Sequence, residues 1–135
     1  MREILFRGKR TDNGKWECGD LLSPNEFNAI PHIVYIAYLN EYGDIGEIST
    51  PVIPETVGQY TGLTDKKGKK IFEGDIVRAF TRFSEIYVSP VTYHDGTFWF
   101  NNWSWTKFLF KFEKIEVIGN IYDNSELLKG GEGDG

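Results

Sequence analysis

Apolar and polar residues alternate along most of the chain, whereas the three- to four-residue spacing of an amphipathic helix is scarce. The alternating segments are rich in β-branched and aromatic residues, a composition typical of strands. They occupy residues 4–6, 16–22, 32–39, 75–80, 86–94, 96–100 and 115–122. The pattern therefore predicts a mainly β protein with little helix.

Turn residues between these segments predict short connections. Asp95-Gly96, between VTY and FWF, predicts a two-residue hairpin, because glycine accepts the positive φ of a type I′ turn. Pro90 predicts an edge strand or a bulge, since proline cannot donate to a ladder.

Helix is predicted only as short turns at residues 23–26 and 125–129. Residues 107–114 are ambiguous between the two periods. Phe108, Phe110 and Phe112 would lie on one side of a strand. Lys107, Lys111 and Glu113 would lie on the other side, and this pattern favours a strand.

Length and composition predict one domain or two small halves with an aromatic core. The chain has 135 residues, of which 40% are hydrophobic and 16% aromatic. The single cysteine, Cys18, excludes an intrachain disulfide and fits a reducing compartment. No signal-like segment follows the N-terminus, and the apolar run at 33–39 is far below the ~18 residues of a membrane span. We expect a soluble, cytoplasmic protein without membrane contact.

Two segments repeat one local pattern. TDNGKWECGDLL at 11–22 and TDKKGKKIFEGDIV at 64–77 share the dipeptides T-D, G-K and G-D in this order. In both segments two aliphatic residues follow G-D. The pattern predicts a turn, a short strand, a second turn at Gly-Asp and another strand in both segments.

A lysine cluster lies inside the second segment, at Lys66, Lys67, Lys69 and Lys70. It does not match a phosphate-binding P-loop, because Gly74 is followed by Asp75 and a strand instead of by a lysine and a helix. The favoured interpretation is a solvated turn, in which Asp65 bonds the backbone ahead of it and Gly68 supplies the positive φ. A nucleic-acid or phosphate contact is the alternative, although the net charge of −5 weakens the case for DNA.

Three segments carry a resemblance to a known family. MREILFRGKRTDNGKW at the start, VGQYTGLTDKKGKKIFEGDIV in the middle and IEVIGNIYDNSELL at the end resemble the YopX family of small phage and prophage proteins. The resemblance implies a mainly β protein that contains an SH3-like small barrel and is encoded by a bacteriophage or prophage. It implies no activity and no catalytic residues.

Short strands joined by tight turns also agree with a small closed barrel. We therefore expect three regions: an N-terminal β-rich subdomain at 1–55, the SH3-like barrel at 56–128 and a disordered tail at 129–135.

Three of the four tryptophans, Trp99, Trp103 and Trp105, lie within residues 96–112. The favoured interpretation is a hairpin whose aromatic residues pack in the core. A partner-binding or oligomer surface is the second interpretation, since aromatic rings beside amides resemble an interface. Base stacking is the third. We name these residues as candidate partner-binding residues.

Few residues of this chain could form a metal or catalytic site. His32, His94, Cys18 and Asp95 show no ligand spacing, so we expect no metal and no cofactor. Cys18 with a histidine is a weak nucleophile pair, because a small buried thiol is ordinary in an alternating strand.

Two Gly-Asp pairs are predicted to have structural roles. We expect Asp75 to accept backbone hydrogen bonds at the Gly74 turn, Asp20 to do the same after Gly19, and Glu73 to point to solvent.

The basic residues come from separate segments. If the two similar segments lay side by side, these residues could form one positive face; otherwise each is a solvated turn or edge residue. They are Arg2, Arg7, Lys9, Arg10, Lys66, Lys67, Lys69, Lys70, Arg78 and Arg82.

Three function classes follow. The leading hypothesis is a non-enzymatic protein that contacts a host or phage protein, or a second copy of itself, through strand edges and the tryptophan-rich hairpin. The alternative is a nucleic-acid-binding small barrel that uses Lys66, Lys67, Lys69 and Lys70. An enzyme with an unrecognised site is the third hypothesis.

Overall fold

The computed structural model describes residues 3–128. The chain forms two compact units, and the boundary in the sequence lies between Tyr60 and Thr61. Both units are built from antiparallel strands, so the mainly β prediction is confirmed. The predicted boundary after residue 55 falls within a short 3₁₀ turn, Pro54–Thr56. The predicted tail at 129–135 lies outside the described residues.

The first unit is a sheet with the strand order β4-β3-β2-β1-β5. Its strands are β1 Phe6–Lys9, β2 Trp16–Leu22, β3 His32–Tyr38, β4 Ile45–Pro51 and β5 Gly58–Thr64, and the last of these crosses into the second unit. β3 and β4 pair in an unbroken register from His32↔Pro51 to Tyr38↔Ile45. β4 forms an edge of the sheet.

A small core supports this unit. Ile33 and Val52 are fully buried and Tyr60 nearly so. A Cβ added to Gly8 would lie 2.9 Å from the side chain of Val52, so the strand can approach this core only with glycine at that position.

The predicted second turn of the first repeat is wrong. Gly19 lies inside β2, and a Cβ there would be 2.3 Å from the carbonyl oxygen of Val34. Glycine therefore permits close packing of β3 and does not turn the chain. Asp20 is an exposed strand residue paired with Val34, and the turn-capping role predicted for it is also wrong.

The second unit contains a sheet of strand order β10-β9-β8-β7-β11, with β6 beside β5. The elements are β6 Lys70–Phe72, β7 Asp75–Thr81, β8 Ile86–His94, β9 Thr97–Phe100, β10 Trp103–Ser104, α1 Trp105–Lys111 and β11 Phe112–Asn120.

Aromatic rings fill the core of the second unit, as the composition predicts. Phe100, Phe108 and Phe112 are buried together with Ile71, Val77, Ala79 and Val91. The ring centroid of Phe100 lies 4.8 Å from that of Phe108 and 5.3 Å from that of Phe112, and these distances are typical of favourable aromatic pairs.

The Asp95-Gly96 hairpin prediction is confirmed. Both residues have positive φ, 53° and 80°, as a type I′ turn requires. Pro90 does not mark an edge strand, because β8 lies between β7 and β9. Residues 86–90 pair with β7 and residues 91–94 pair with β9, so Pro90 lies where the pairing changes partner.

The strand predicted at 107–114 is wrong for its first half, because Trp105–Lys111 form α1. Phe108 and Phe112 are 1% and 8% exposed, whereas Phe110 between them is 84% exposed. The buried pair is spaced by four residues, so the helical period determined the structure and the apparent alternation did not.

The two other predicted helical turns differ in outcome. Residues 23–26 form no helix; instead, the Asn25 side chain accepts hydrogen bonds from the backbone N–H groups of Phe27 at 2.8 Å and Asn28 at 3.0 Å. Residues 126–128 are helical, and Lys129 lies outside the described residues.

The closed barrel is not formed by residues 3–128. β10 and β11 are opposite edges of the five-stranded sheet. The helix α1 connects them in the chain, and its buried residue Phe108 packs in the core of the unit, in a position that a barrel of strands alone would not provide. The SH3-like relationship stays a prediction.

The helical assignment of α1 predicts opposite results for two neighbouring phenylalanines. Phe108→Ala should lower the free energy of unfolding by about 3–5 kcal/mol because it empties a core position. Phe110→Ala should change it by no more than about 0.5 kcal/mol because the ring is exposed. Urea unfolding followed by tryptophan fluorescence measures both values, and equal losses would contradict the helix.

Candidate functional site

The lysine cluster lies on a turn that is fixed by one carboxylate. Asp65 Oδ1 accepts hydrogen bonds from the backbone N–H groups of Lys67 and Lys69, both at 2.9 Å. Asp65 N donates to Lys69 O at 2.8 Å, and Gly68 has a φ of 83°. The predicted Asp-Gly turn is therefore confirmed. No helix follows Gly74, since the chain enters β7, so the P-loop is excluded.

The same carboxylate joins the turn to β11. Asp65 Oδ2 accepts a hydrogen bond from Val117 N at 3.0 Å, and Lys66 N donates to Ile115 O at 3.1 Å. Asp65 is 6% exposed. Burial opposes its ionisation, but the N–H groups of Val117, Lys69 and Lys67 outweigh burial and lower the pKa of Asp65 below its ordinary value.

Asp75 has the predicted structural role. Its side chain is buried, and Oδ2 accepts a hydrogen bond from Phe72 N at 2.7 Å. Gly74 turns the chain with a φ of 92°. Glu73 is half-buried and does not point freely to solvent as predicted.

Three cationic side chains surround one carboxylate beside the turn. Lys66 Nζ and Lys67 Nζ lie 3.4 and 3.5 Å from Glu116 Oε2, and Arg78 donates a hydrogen bond to Glu116 Oε1. The Arg78 hydrogen bond lowers the pKa of Glu116 against the opposing effect of burial, and Lys66 adds to the lowering. Glu116 therefore stays ionised at neutral pH.

The remaining lysines of the cluster are exposed. Lys69 belongs to the turn and Lys70 begins β6. The structure thus brings Lys66 and Lys67 together with Arg78 and Glu116. The sequence analysis listed Arg78 only as a scattered cation, and it missed Glu116.

Two basic residues of the first unit have intramolecular contacts that occupy their side chains. Arg7 is buried, and its guanidinium lies 4.6 Å from the centre of the Trp16 ring. Arg10 pairs with Asp12 at 2.8 Å and with Glu17 at 3.1 Å. Arg7 is thus buried and Arg10 is neutralised by carboxylates, so a single positive face that includes them is not supported.

The candidate tryptophans Trp103 and Trp105 are half-buried against the core of the second unit. Trp103 lies edge-on to Tyr87 at 4.9 Å and to Phe112 at 5.2 Å. Trp105 stacks on Phe108 at 4.8 Å. Their predominant contacts are within the unit, as the core-packing interpretation predicts, and their partner-binding role stays a prediction.

Trp99 has a different environment at the hairpin. It is half-buried, and its ring stacks on His94 with 4.7 Å between centroids and 4° between planes. Its Nε1–H donates to the carbonyl oxygen of His94 at 2.9 Å. This tryptophan fixes the β8–β9 turn, and its partner-binding role also stays a prediction.

The thiol and the imidazoles are not assembled into a site. Cys18 is exposed, so the predicted burial of this thiol is wrong. His32 pairs with Leu22, four residues along β2 from Cys18, which is a separation of about 13 Å. His94 contacts Asp95 Oδ2 at 3.1 Å. Across residues 3–128, no three His, Cys, Asp or Glu side chains are grouped to hold a metal ion.

A surface that the sequence analysis missed lies on the β3–β4 hairpin. Ile36, Tyr38 and Ile45 are 65%, 78% and 63% exposed. Tyr38 is directly opposite Ile45, and Ile36 is two residues from Tyr38, so the three side chains share one face. We call these three residues the hairpin patch. Leu39 and Tyr42, near the hairpin tip, are also exposed.

The surroundings of the hairpin patch are acidic. Residues 16–64 contain no lysine and no arginine but seven carboxylates: Glu17, Asp20, Glu26, Glu41, Asp44, Glu47 and Glu55. Glu47 is opposite Ile36 on the same face. This charge distribution can be read from the sequence, and it is the signal that would have indicated the surface.

None of the helices in the described part of the chain has the length and apolar character needed to cross a membrane.

Comparison with known proteins gives a family and a fold. A family model described as YopX protein matches residues 5–129. The crystal structure of protein EF1440 from Enterococcus faecalis is similar with a TM-score of 0.65 and 24% sequence identity, covering 95% of this chain and 99% of that one. At this identity the likeness supports the fold alone. No curated protein matches the sequence.

The role of Asp65 predicts a pH-dependent loss of stability on Asp65→Asn. The amide would place a donor against backbone donors, and the free energy of unfolding at pH 7 should fall by about 2 kcal/mol. Because the folded pKa is lowered, the stabilisation is complete above the unfolded value of about 3.9 and is lost as the pH falls through the folded value. Denaturant unfolding from pH 7 to pH 2 measures the difference, which should shrink below about pH 4.

Asp95→Asn is the matched control. Asp95 is 84% exposed in the type I′ turn, where asparagine is equally suited, so the change should be within about 0.5 kcal/mol at every pH. A constant difference between wild type and Asp65→Asn down to pH 2 would show that Asp65 is not stabilised as a carboxylate.

Proposed function

We propose that this chain, which belongs to the YopX family, is a non-enzymatic interaction protein. The resemblance to that family implies no activity, so the proposal is argued from the geometry of the surface. Its contact surface is the β3–β4 hairpin. The single observation that carries the proposal is the hairpin patch, an exposed apolar surface at the edge of a sheet. Exposed apolar clusters of this kind mark sites of protein contact.

The edge strand β4 provides the backbone groups for such a contact. β4 is seven residues long, pairs regularly with β3 and carries no lysine. Edge strands are commonly protected by lysines, prolines, bulges or short length. In β4 the one such feature is its last residue, Pro51, whose carbonyl oxygen accepts a hydrogen bond from Thr11 N, so the protection is confined to the end of the strand. An extended segment of another chain can therefore add as a further strand beside β4.

The charge of the hairpin selects the partner. The carboxylates at 41, 44 and 47 lie in or beside the β3–β4 hairpin, and no cation is present between residues 16 and 64. Like charges would oppose a second copy at this edge. The best-matched occupant is an extended partner segment in which apolar residues alternate with lysine or arginine.

The setting of this role forms part of the proposal. The family resemblance supports a phage- or prophage-encoded protein, and a chain with a single cysteine, Cys18, fits the reducing cytoplasm of a bacterial host.

Binding of designed peptides tests the proposal. A fluorescent peptide of alternating lysine and valine should bind the wild-type protein, and one of alternating glutamate and valine should bind at least about tenfold more weakly. N-methylation of every second amide of the lysine peptide should also cost about tenfold or more, because strand addition needs those groups. Fluorescence anisotropy measures each affinity.

Two variants locate the binding. Tyr38→Ser/Ile45→Ser removes the opposed pair of the hairpin patch and should abolish measurable binding. Phe27→Ser removes a side chain of the same unit that is 89% exposed outside the patch, and it should bind normally. Equal binding of all three peptides, or equal loss in both variants, would contradict the proposal. The wild-type protein could instead sediment as a dimer that Tyr38→Ser/Ile45→Ser dissociates and Phe27→Ser does not. That result would show that the occupant of the hairpin is a second copy of this chain.

A further inference from the structure

The cations around Glu116 exceed the negative charge that balances them. Lys66, Lys67 and Arg78 all contact this one carboxylate. Glu116 is 8% exposed, whereas the three cationic side chains are 45%, 71% and 44% exposed. A single buried carboxylate neutralises only one positive charge, so solvent meets an excess of cations at this position.

The turn holds this excess in a fixed place. Asp65 Oδ2 and the Lys66 backbone N–H both bond to the backbone of β11, on either side of Glu116. Asp65 itself is buried and is satisfied by backbone donors, and Lys69 adds a further cation at the turn. Cations held in a fixed position bind an anion at a lower entropic cost than mobile lysines would.

Strand register extends the positive surface across one face of the sheet. Arg78 is opposite Glu116 on β11, and Phe80 is opposite Lys114. Directly opposed residues share a face, and so do residues two apart. The Arg78 guanidinium lies 5.9 Å from the centre of the Phe80 ring. This face therefore combines arginine, lysine and an aromatic ring.

An exposed aromatic ring lies at the end of β7. Phe83 is 78% exposed, and the Arg82 guanidinium lies 5.8 Å from the centre of its ring. Arg82, Phe83 and Lys111 line the same shallow depression, together with Thr81 and one carboxylate, Glu85. Arg82 follows the last residue of β7, and four residues of extended chain span about 13 Å, so one extended ligand can reach from Arg78 to the turn that holds Phe83.

We propose that this face of the second unit and the adjoining turn at 82–85 bind single-stranded nucleic acid. Phosphates contact Lys66, Lys67 and Arg78, and a base stacks on Phe83. The combination favours a single strand, because cations follow the phosphate backbone while an open aromatic ring accepts any base. A purely acidic polypeptide such as polyglutamate would pair with the cations but has no ring to stack on Phe83.

Two opposite charge changes test the site. In fluorescence anisotropy with a labelled 20-nucleotide oligothymidine at low salt, Lys66→Gln/Lys67→Gln should weaken binding about 10- to 100-fold. It should also reduce the slope of log affinity against log salt by about 1.4, which corresponds to two phosphate contacts on a single strand. Glu116→Gln should strengthen binding several-fold, because it releases three cations from the carboxylate that they share.

A third variant tests the stacking contact. Phe83→Ala should weaken oligothymidine binding about tenfold or more, with little effect on the salt slope, because a base-stacking contact carries no charge.

The control is Lys15→Glu, which lowers the net charge by the same amount at an exposed position of the first unit. Its affinity should fall less than about threefold and its slope should not change, since Lys15 makes no specific phosphate contact. Circular dichroism and thermal unfolding identify any variant that has lost its fold, and if Glu116→Gln does so, the lysine pair and Phe83 decide the result.

Three results would overturn the proposal. The first is no binding of oligothymidine by the wild-type protein at low salt. The second is an equal loss in the lysine pair and in its control. The third is displacement of the oligonucleotide by polyglutamate at a lower charge concentration than by unlabelled oligothymidine, which would assign the face to an acidic polypeptide.

Discussion

The second unit depends on how completely the carboxylate of Asp65 is satisfied. A buried charge is costly unless its lone pairs are bonded, and here three backbone N–H groups meet that requirement. Two of these groups close the lysine turn, and the third belongs to β11, which is 52 residues away in the sequence. One side chain thus closes a local turn and attaches it to a distant strand. The positions of Lys66 and Lys67 over Glu116 follow from this attachment.

The elements that the sequence predicted correctly are those determined by neighbouring residues. Asp95-Gly96 and Asp65-Gly68 have the left-handed glycines that their turns require, and the alternating strands were located to within a few residues. Prediction failed where distant packing decided between two local possibilities. At α1, the segment between Trp105 and Phe112 satisfies both periods, and only the core of the unit selects Phe108 and leaves Phe110 exposed. Gly19 failed for the same reason, since its need for glycine comes from the backbone of β3.

The candidate sites show the same limit. The lysines were visible as a cluster, but Glu116 lies 38 residues beyond Arg78, and only the β7–β11 register brings them together. The hairpin patch was visible only as an apolar run, because periodicity does not show which strand is left at the edge of a sheet. Its acidic surroundings needed no structure, since the absence of lysine and arginine from residues 16–64 is a property of the sequence.

The net charge of this protein averages regions of opposite character. The total of −5 argues against a polyanion as ligand, yet charges are screened beyond about 8 Å at physiological ionic strength. A ligand therefore responds to the groups that surround its own site. At the hairpin patch these groups are carboxylates alone, whereas beside the lysine turn three cations share one buried carboxylate. The two surfaces thus favour ligands of opposite charge, and the total charge of the chain predicts the preference of neither.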